Sequence, residues 1–333
     1  MTLRIAVVGT GTVSRDNYIP FLAAQPDIEL GLYNRTPDTA LQLAQQFGGQ
    51  ALASLEEVAQ WNPDAAMILT AETVRYQIGM QLIRGGVGKI FFEKPLVAMN
   101  GQAHVTEDDF HKGKEMLDLA AQRGCETAMI FNYRFFEQTL AARKIAAERN
   151  FGPVINAAGL VHYACWSHCI DLIQHFAGAI AEITALSGVK DHSAPMVNIV
   201  APDVVAALRM ENGATGTLIG TAAMQWQHPL YELILTFENG RIHLRDLDGT
   251  LEILDGAGQM HESHSMVRHS ARWDQYAASF QKSVGAYLDS LRSGQAPPVP
   301  GIDGLRELQV EAALKRSIAQ RRPVVLQQEF PLQ

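Results

Sequence analysis

The sequence predicts an α/β Rossmann-type doubly wound parallel sheet, followed by an α+β domain with a large, mainly antiparallel, open-faced sheet. Three observations carry this expectation. The first third alternates short apolar runs with helical stripes, and its opening run stops at Gly9-Thr10-Gly11-Thr12-Val13-Ser14. A later apolar run, Ile90-Phe91-Phe92, delivers Glu93, Lys94 and Pro95 to its carboxyl end, the end at which open α/β sheets bind ligands. The second half changes to longer strand-like runs joined by Asn-Gly turns, which accommodate positive φ. The boundary is expected near residue 127, giving units 1–127 and 128–333.

With 333 residues and 47% hydrophobic content, the chain can bury two cores. A net charge of −8 without any Lys/Arg cluster argues against nucleic acid and against an anionic membrane surface as partners. The apolar run Ile5–Val8 is too short for a leader, and no later run approaches a membrane span. Cys125, Cys165 and Cys169 make no disulfide framework, which points to a reducing cytoplasm.

Taken in order, Leu3–Val8 reads as a strand feeding a G-x-G-x-x-S turn and a helix. Gly9 permits the tight turn, and Gly11 lets a pyrophosphate approach the backbone N–H groups. Gly9, Thr10, Gly11, Thr12 and Val13 are therefore candidate cofactor residues. Ile28–Tyr33 reads as a second strand ending at Asn34-Arg35-Thr36. An acid at this point would hold the ribose hydroxyls of NAD. Asn34 removes that charge, and the Arg35 guanidinium can pair with a 2′-phosphate, so NADP is preferred over NAD. Ala40, Leu43, Ala44 and Phe47 form a helical core stripe. Asp64–Thr70 reads as a third strand, with Thr70 at its cofactor end. Val74, Ile78 and Leu82 mark a helix that ends at Gly85-Gly86. Glu93 and Lys94 then fall beside the nicotinamide end of a bound dinucleotide, where a lysine next to a glutamate can move protons. Pro95 is expected to form a cis bond that aims the lysine inward.

In the second half, 154–163, 204–210, 215–221, 231–237 and 241–245 read as strands, with turns at Asn212-Gly213 and Asn239-Gly240. Phe280, Val284, Leu288 and Leu291, then Val310, Leu314 and Ile318, are helical core stripes. The chemical stretch is His162-Tyr163-Ala164-Cys165-Trp166-Ser167-His168-Cys169-Ile170-Asp171. With Ser167 as N-cap and Gly178 as terminator, His168 and Asp171 share one helical face. A histidine in the first turn feels the positive helix end, which favours its neutral, base-competent form. His162, Cys165, His168 and Cys169 also offer nitrogen and sulfur ligands. Their spacing fits no common zinc module, and one segment rarely supplies all four, so no metal is assigned. Cys165 lacks a C-x-x-C partner for redox work. His261, His264 and His269 read as a polar loop without a role.

The order of these motifs resembles the Gfo/Idh/MocA oxidoreductases, the family of glucose–fructose oxidoreductase and inositol dehydrogenase. The glycine turn, Glu93-Lys94-Pro95, Phe131-Asn132-Tyr133-Arg134-Phe135, His168-x-x-Asp171 and the tail from Phe280 to Arg322-Pro323-Val324 carry the resemblance along the whole chain. It implies hydride transfer between nicotinamide and a carbinol or carbonyl carbon of a sugar or polyol. His168 would act as general base with Lys94 as its partner, and Glu93 would help fix the lysine and the nicotinamide. Tyr163, Trp166 and Asp171 would join Lys94 and His168 around the substrate. The resemblance also implies a homodimer or homotetramer through the open sheet face, with the last helices packing back on the first domain. Two departures stand out. The family's Asp-x-Gly-x-His-x-x-Asp is here Ala164-Cys165-Trp166-Ser167-His168-Cys169-Ile170-Asp171, and Thr70–Arg75 lacks the usual proline and histidine. Ala164 cannot hydrogen-bond a sugar hydroxyl, whereas Trp166 could stack on a planar substrate. The alternatives are a catalytically silent dinucleotide-binding sensor and a reductase of a non-sugar substrate.

Overall fold

The computed structural model describes residues 2–194, 199–225, 228–265 and 271–333. Two compact units emerge. The first gathers Met1–Gly101, Asp108–Phe131 and Phe280–Leu308, and the second Gln102–Glu107, Asn132–Ser279 and Gln309–Gln333. A single cut near residue 127 is thus replaced by a division in three segments. The reason lies in ring packing: Phe280 meets Tyr18 edge-on at 5.4 Å, and Tyr287 packs on Phe91 at 4.8 Å.

The first unit is built on six parallel strands: β1 (Leu3–Val8), β2 (Ile28–Tyr33), β3 (Gln50–Leu52), β4 (Ala65–Ile68), β5 (Lys89–Phe92) and β6 (Glu126–Met129). Their order is β3-β2-β1-β4-β5-β6. The order reverses between β1 and β4, the switch point where doubly wound sheets bind ligands. β4 is buried throughout and β5 in all but its first residue, as expected of strands covered on both faces. Helices α1 (Ile19–Ala23), α2 (Pro37–Phe47), α3 (Leu55–Gln60), α4 (Glu72–Arg84) and α5 (Glu107–Arg123) supply the connections. The short edge strand β3 escaped the sequence reading because only Leu52 of its three residues is buried, too little for a periodic signal.

The second unit holds a nine-stranded sheet. Its strands are β7 (Val154–His162), β8 (Ile180–Ala194), β9 (Ile199–Met210), β10 (Thr215–Thr221), β11 (Tyr231–Phe237), β12 (Gly240–Arg245), β13 (Thr250–Asp255), β14 (Met260–His264) and β15 (Val324–Val325). The order is β14-β13-β12-β11-β7-β10-β9-β8-β15. All neighbours are antiparallel except β7 and β10, which run parallel. Alternation in β10, and in β9 from Val204 onward, leaves one face buried and the other open. Helices α6 (Glu137–Glu148), α7 (Trp166–Ala177) and α10 (Leu326–Glu329) lie in this unit, while α8 (Arg272–Ser293) and α9 (Gly301–Gln320) contribute to both.

Two local expectations are corrected. α7 begins at Trp166 with Cys165 as its N-cap, because a tight helical turn, Tyr163–Cys165, runs directly into it; Ser167 lies inside the first turn. Gly178, at φ 90°, does end the helix. His261 and His264 belong to β14, an edge strand with polar residues on both faces and hence no alternation to read. His269 lies outside the described residues. Among those residues no helix is long and apolar enough to cross a membrane, and all three cysteines are buried and outside any disulfide.

Candidate active site

β1 stops where Gly9 adopts φ 99°, a region open to glycine. Its N–H donates to the Tyr33 carbonyl at 2.8 Å. A Cβ on Gly9 would lie 2.7 Å from Thr70 Cγ2, whereas one on Gly11 would meet nothing within 4 Å. The turn is therefore pressed against the end of β4 on one side and open on the other. Thr10 N–H donates to Asn34 Oδ1 at 3.4 Å, and Asn34 Nδ2 donates to the Thr36 carbonyl at 3.2 Å. Asn34 so ties the glycine turn to the end of β2. The hydroxyls of Thr10, Ser14 and Thr70 are buried and have no hydrogen-bond partner among the described residues. Thr12, Val13 and Arg35 are exposed, and Arg35 makes no ion pair among the described residues. From Ser14 to Tyr18 the expected helix opens as a π-helical turn that runs into α1, a feature frequent at functional sites.

Tyr18 links this turn to β5. Its phenol donates to Glu93 Oε1 at 2.7 Å, while Glu93 Oε2 accepts from the Lys94 N–H at 2.7 Å. Glu93 is only 8% exposed, so both bonds act with little competition from water. Lys94 is half-buried, and the Lys94–Pro95 peptide is cis. Arg75, on α4, is 3% exposed and donates to the carbonyls of Thr70, at 2.7 Å, and Pro95. Burial pushes its pKa down, and the charges of Glu93 and Glu72 oppose that shift. Arg75 thus joins the loops after β4 and β5. Sequence alone assigns Arg75 no role. The signal was present, since Arg75 shares the buried stripe of α4 with Gly79, Leu82 and Ile83.

In the second unit, α7 presents His168, 3% exposed, with the Tyr133 ring stacked on it at 4.0 Å and 11°. Asp171, expected at the substrate, directs both carboxylate oxygens to Arg134: Nε donates to Oδ2 at 2.8 Å and the terminal nitrogen to Oδ1. A buried bidentate pair of this kind fixes geometry. Trp166 is 4% exposed, and a Cβ on Gly220 would lie 2.4 Å from its ring. One side of its ring is thus packed against β10. Trp166 and Tyr163, whose rings lie 5.4 Å apart, line a cavity of about 120 Å³, and the Tyr163 hydroxyl donates to the Pro202 carbonyl at 2.6 Å. His162 Nδ1 accepts from the Ala164 N–H at 3.1 Å, and Cys165 Sγ accepts from the Tyr133 hydroxyl at 3.0 Å. Burial pushes the Cys169 thiol up, away from the thiolate that nucleophilic or ligand chemistry needs. Among the described residues no group of three or more His, Cys, Asp or Glu is placed to hold a metal.

Fold, glycine turn and Glu93-Lys94 loop define a nicotinamide-dependent oxidoreductase, and comparison with known proteins agrees. Residues 3–131 match the oxidoreductase family, NAD-binding Rossmann fold, and residues 156–326 match its C-terminal alpha/beta domain. The chain belongs to the Gfo/Idh/MocA oxidoreductase family. No curated protein matches it. Among solved structures, levoglucosan dehydrogenase in complex with NADH and levoglucosan superposes with a TM-score of 0.80 at 16% identity, over 98% of this chain and 100% of that one. UDP-N-acetylglucosamine 3-dehydrogenase from Acidithiobacillus ferrooxidans gives 0.74 at 16% identity over 100% of both chains. An oxidoreductase from Agrobacterium radiobacter, in complex with NAD+, L-tartaric acid and magnesium, gives 0.79 at 16% identity over 98% and 99%. At such identities these likenesses establish the fold.

Replacing Arg75 by leucine strands two buried carbonyls, and the expected loss of stability is roughly 2–5 kcal/mol. Arg75→Lys should recover less than half of it, because an ammonium is a point charge without the planar fork. Urea unfolding reads both. An unchanged midpoint in Arg75→Leu would contradict the clamp.

Proposed function

We propose that this oxidoreductase prefers NADP over NAD and acts on a carbinol or carbonyl carbon of a sugar or polyol. The observation that carries the reading is the Glu93-Lys94 loop, fixed at the carboxyl end of β5 in the same unit as the glycine turn. The residues of that unit fit a dinucleotide: Gly11 leaves open space, and the buried hydroxyls of Thr10, Ser14 and Thr70 await acceptors or donors. Gly9 to Val13 would hold the pyrophosphate, Thr70, Glu93 and Lys94 the nicotinamide end, and Asn34 with Arg35 the adenosine ribose. Arg35 is exposed and makes no ion pair among the described residues, which suits a guanidinium waiting for a 2′-phosphate. When bound, the nicotinamide gives or takes a hydride at C4.

Lys94 polarises the substrate oxygen by hydrogen bonding, and His168 takes the hydroxyl proton in oxidation or returns it in reduction. The sugar class is supported by the names of the solved neighbours, two of which are sugar or nucleotide-sugar dehydrogenases. Three cysteines outside any disulfide fit a reducing cytoplasm. The open face of the second unit exposes Leu160, Leu186, Val205, Ile219 and Ile234, an apolar patch suited to a second copy of the chain.

Two measurements test this. Titration followed by nicotinamide fluorescence should show tighter NADPH than NADH binding, and Arg35→Ala should weaken NADPH by about 10- to 100-fold while sparing NADH. Equal affinities would remove the NADP preference. With an aldose and polyol panel, Lys94→Ala should lower kcat by about 10²- to 10⁴-fold, and undiminished turnover would remove its catalytic role. An intact protein that binds NADPH and turns over no member of the panel would favour the silent sensor.

A further inference from the structure

Asn132-Tyr133-Arg134 follows β6 as a tight helical turn, with Asn132 anchored to α8 and both Tyr133 and Arg134 meeting α7. Asn132 Nδ2 donates to Ser279 Oγ at 2.7 Å, Arg134 grips Asp171 with two hydrogen bonds, and Tyr133 lies between them against His168. The Tyr133 and His168 rings are nearly parallel, 11° apart with centroids at 4.0 Å. Tyr133 is itself held from several sides. Its hydroxyl donates to Cys165 Sγ at 3.0 Å, Phe136 lies at 4.6 Å and Tyr231 at 5.3 Å. Tyr231 is pinned in turn by Gln138 Nε2, which donates to its hydroxyl at 2.6 Å.

The second torsion of a histidine is broad and roughly two-fold, so nothing intrinsic to the residue sets the plane of its ring. The plane must come from outside. Asp171 and Arg134 fix the helix one turn along from His168, and the parallel face of Tyr133 lies against the imidazole itself. Burial pushes the Tyr133 phenol far above its ordinary range, so the ring stays neutral throughout the working pH range and its face keeps a constant character.

We propose that Tyr133 is a positioning residue: its ring is the platform that sets the plane of the His168 imidazole, and so aims the ring nitrogen that exchanges the substrate proton. The proposal rests on the reading of His168 as the proton-exchanging group. Tyr133 itself touches no reacting atom in this account. Its effect is the loss of alignment when the platform goes, which for misplacement of about 1 Å reaches roughly 10²-fold in rate.

Nuclear magnetic resonance of the full-length protein, isotope-labelled at histidine, reads the platform directly. The ring proton between the two nitrogens of His168 is assigned by its loss in His168→Gln. It should lie upfield, shielded by the tyrosine ring current, in the wild type and in Tyr133→Phe. In Tyr133→Leu it should move downfield and broaden. An unshifted signal in the wild type overturns the proposal, whether or not Tyr133→Leu folds. The kinetic arm uses NADP+ with levoglucosan and an aldose and polyol panel. Tyr133→Leu should lower kcat by about 10- to 100-fold with little change in KM, and Tyr133→Phe should recover most of the loss. Wild-type kcat in Tyr133→Leu overturns the proposal. Full activity in His168→Gln would instead remove the reading of His168 as the base, a failure that is separate from the first.

Discussion

The first unit depends on a carboxylate buried at the end of a strand. Glu93 follows a strand whose last three residues are buried, and a charge in that position is costly unless both oxygens find donors. Tyr18 satisfies one oxygen and the Lys94 backbone N–H the other. The consequence reaches further than local satisfaction. Tyr18 closes the π-helical turn that follows Gly9-Thr10-Gly11, so the bond to Glu93 joins the glycine turn to the lysine loop. Arg75 adds a second tie, from the β4 loop to the β5 loop. The ends of β1, β4 and β5 are thereby held as one surface, as a ligand spanning the switch point requires.

The second unit solves a different problem, that of holding a histidine rigidly while burying it. α7 lies on the covered face of the antiparallel sheet, with Trp166 seated over Gly220 at its start. The Arg134–Asp171 pair then fixes the first turns of the helix against the segment that follows β6. Removing one member of such a pair leaves the other charge buried and uncompensated, a larger penalty than the pair's net stabilisation. Rigidity here comes from geometry as much as from energy.

Much of this was legible in the sequence because the relevant chemistry is local. A glycine turn after an apolar run, a Glu-Lys-Pro at the end of another, and Asn-Gly turns between alternating strands each declare themselves within a few residues. What the sequence concealed was long-range. Asp171 faces the same side of α7 as His168, and nothing nearby says that Arg134, 37 residues earlier, occupies both its oxygens. The packing of Trp166 was hidden because Gly220, against which one side of its ring lies, is on a distant strand. β3 and β14 were missed where short or doubly polar edge strands carry no alternation. Arg75 was missed for the opposite reason, since a cation on a buried stripe is read as a break in the pattern unless two carbonyls are known to await it.

The chemistry proposed for Lys94 requires that the end of β5 receive the nicotinamide. A crystal structure of the protein with NADPH would test it. The pyrophosphate should lie over the Gly9–Gly11 turn and the nicotinamide ring should lie beside Lys94, with its C4 open to a carbon about 3–3.5 Å away. A dinucleotide bound with its nicotinamide turned away from Lys94, or bound elsewhere on the chain, would contradict it.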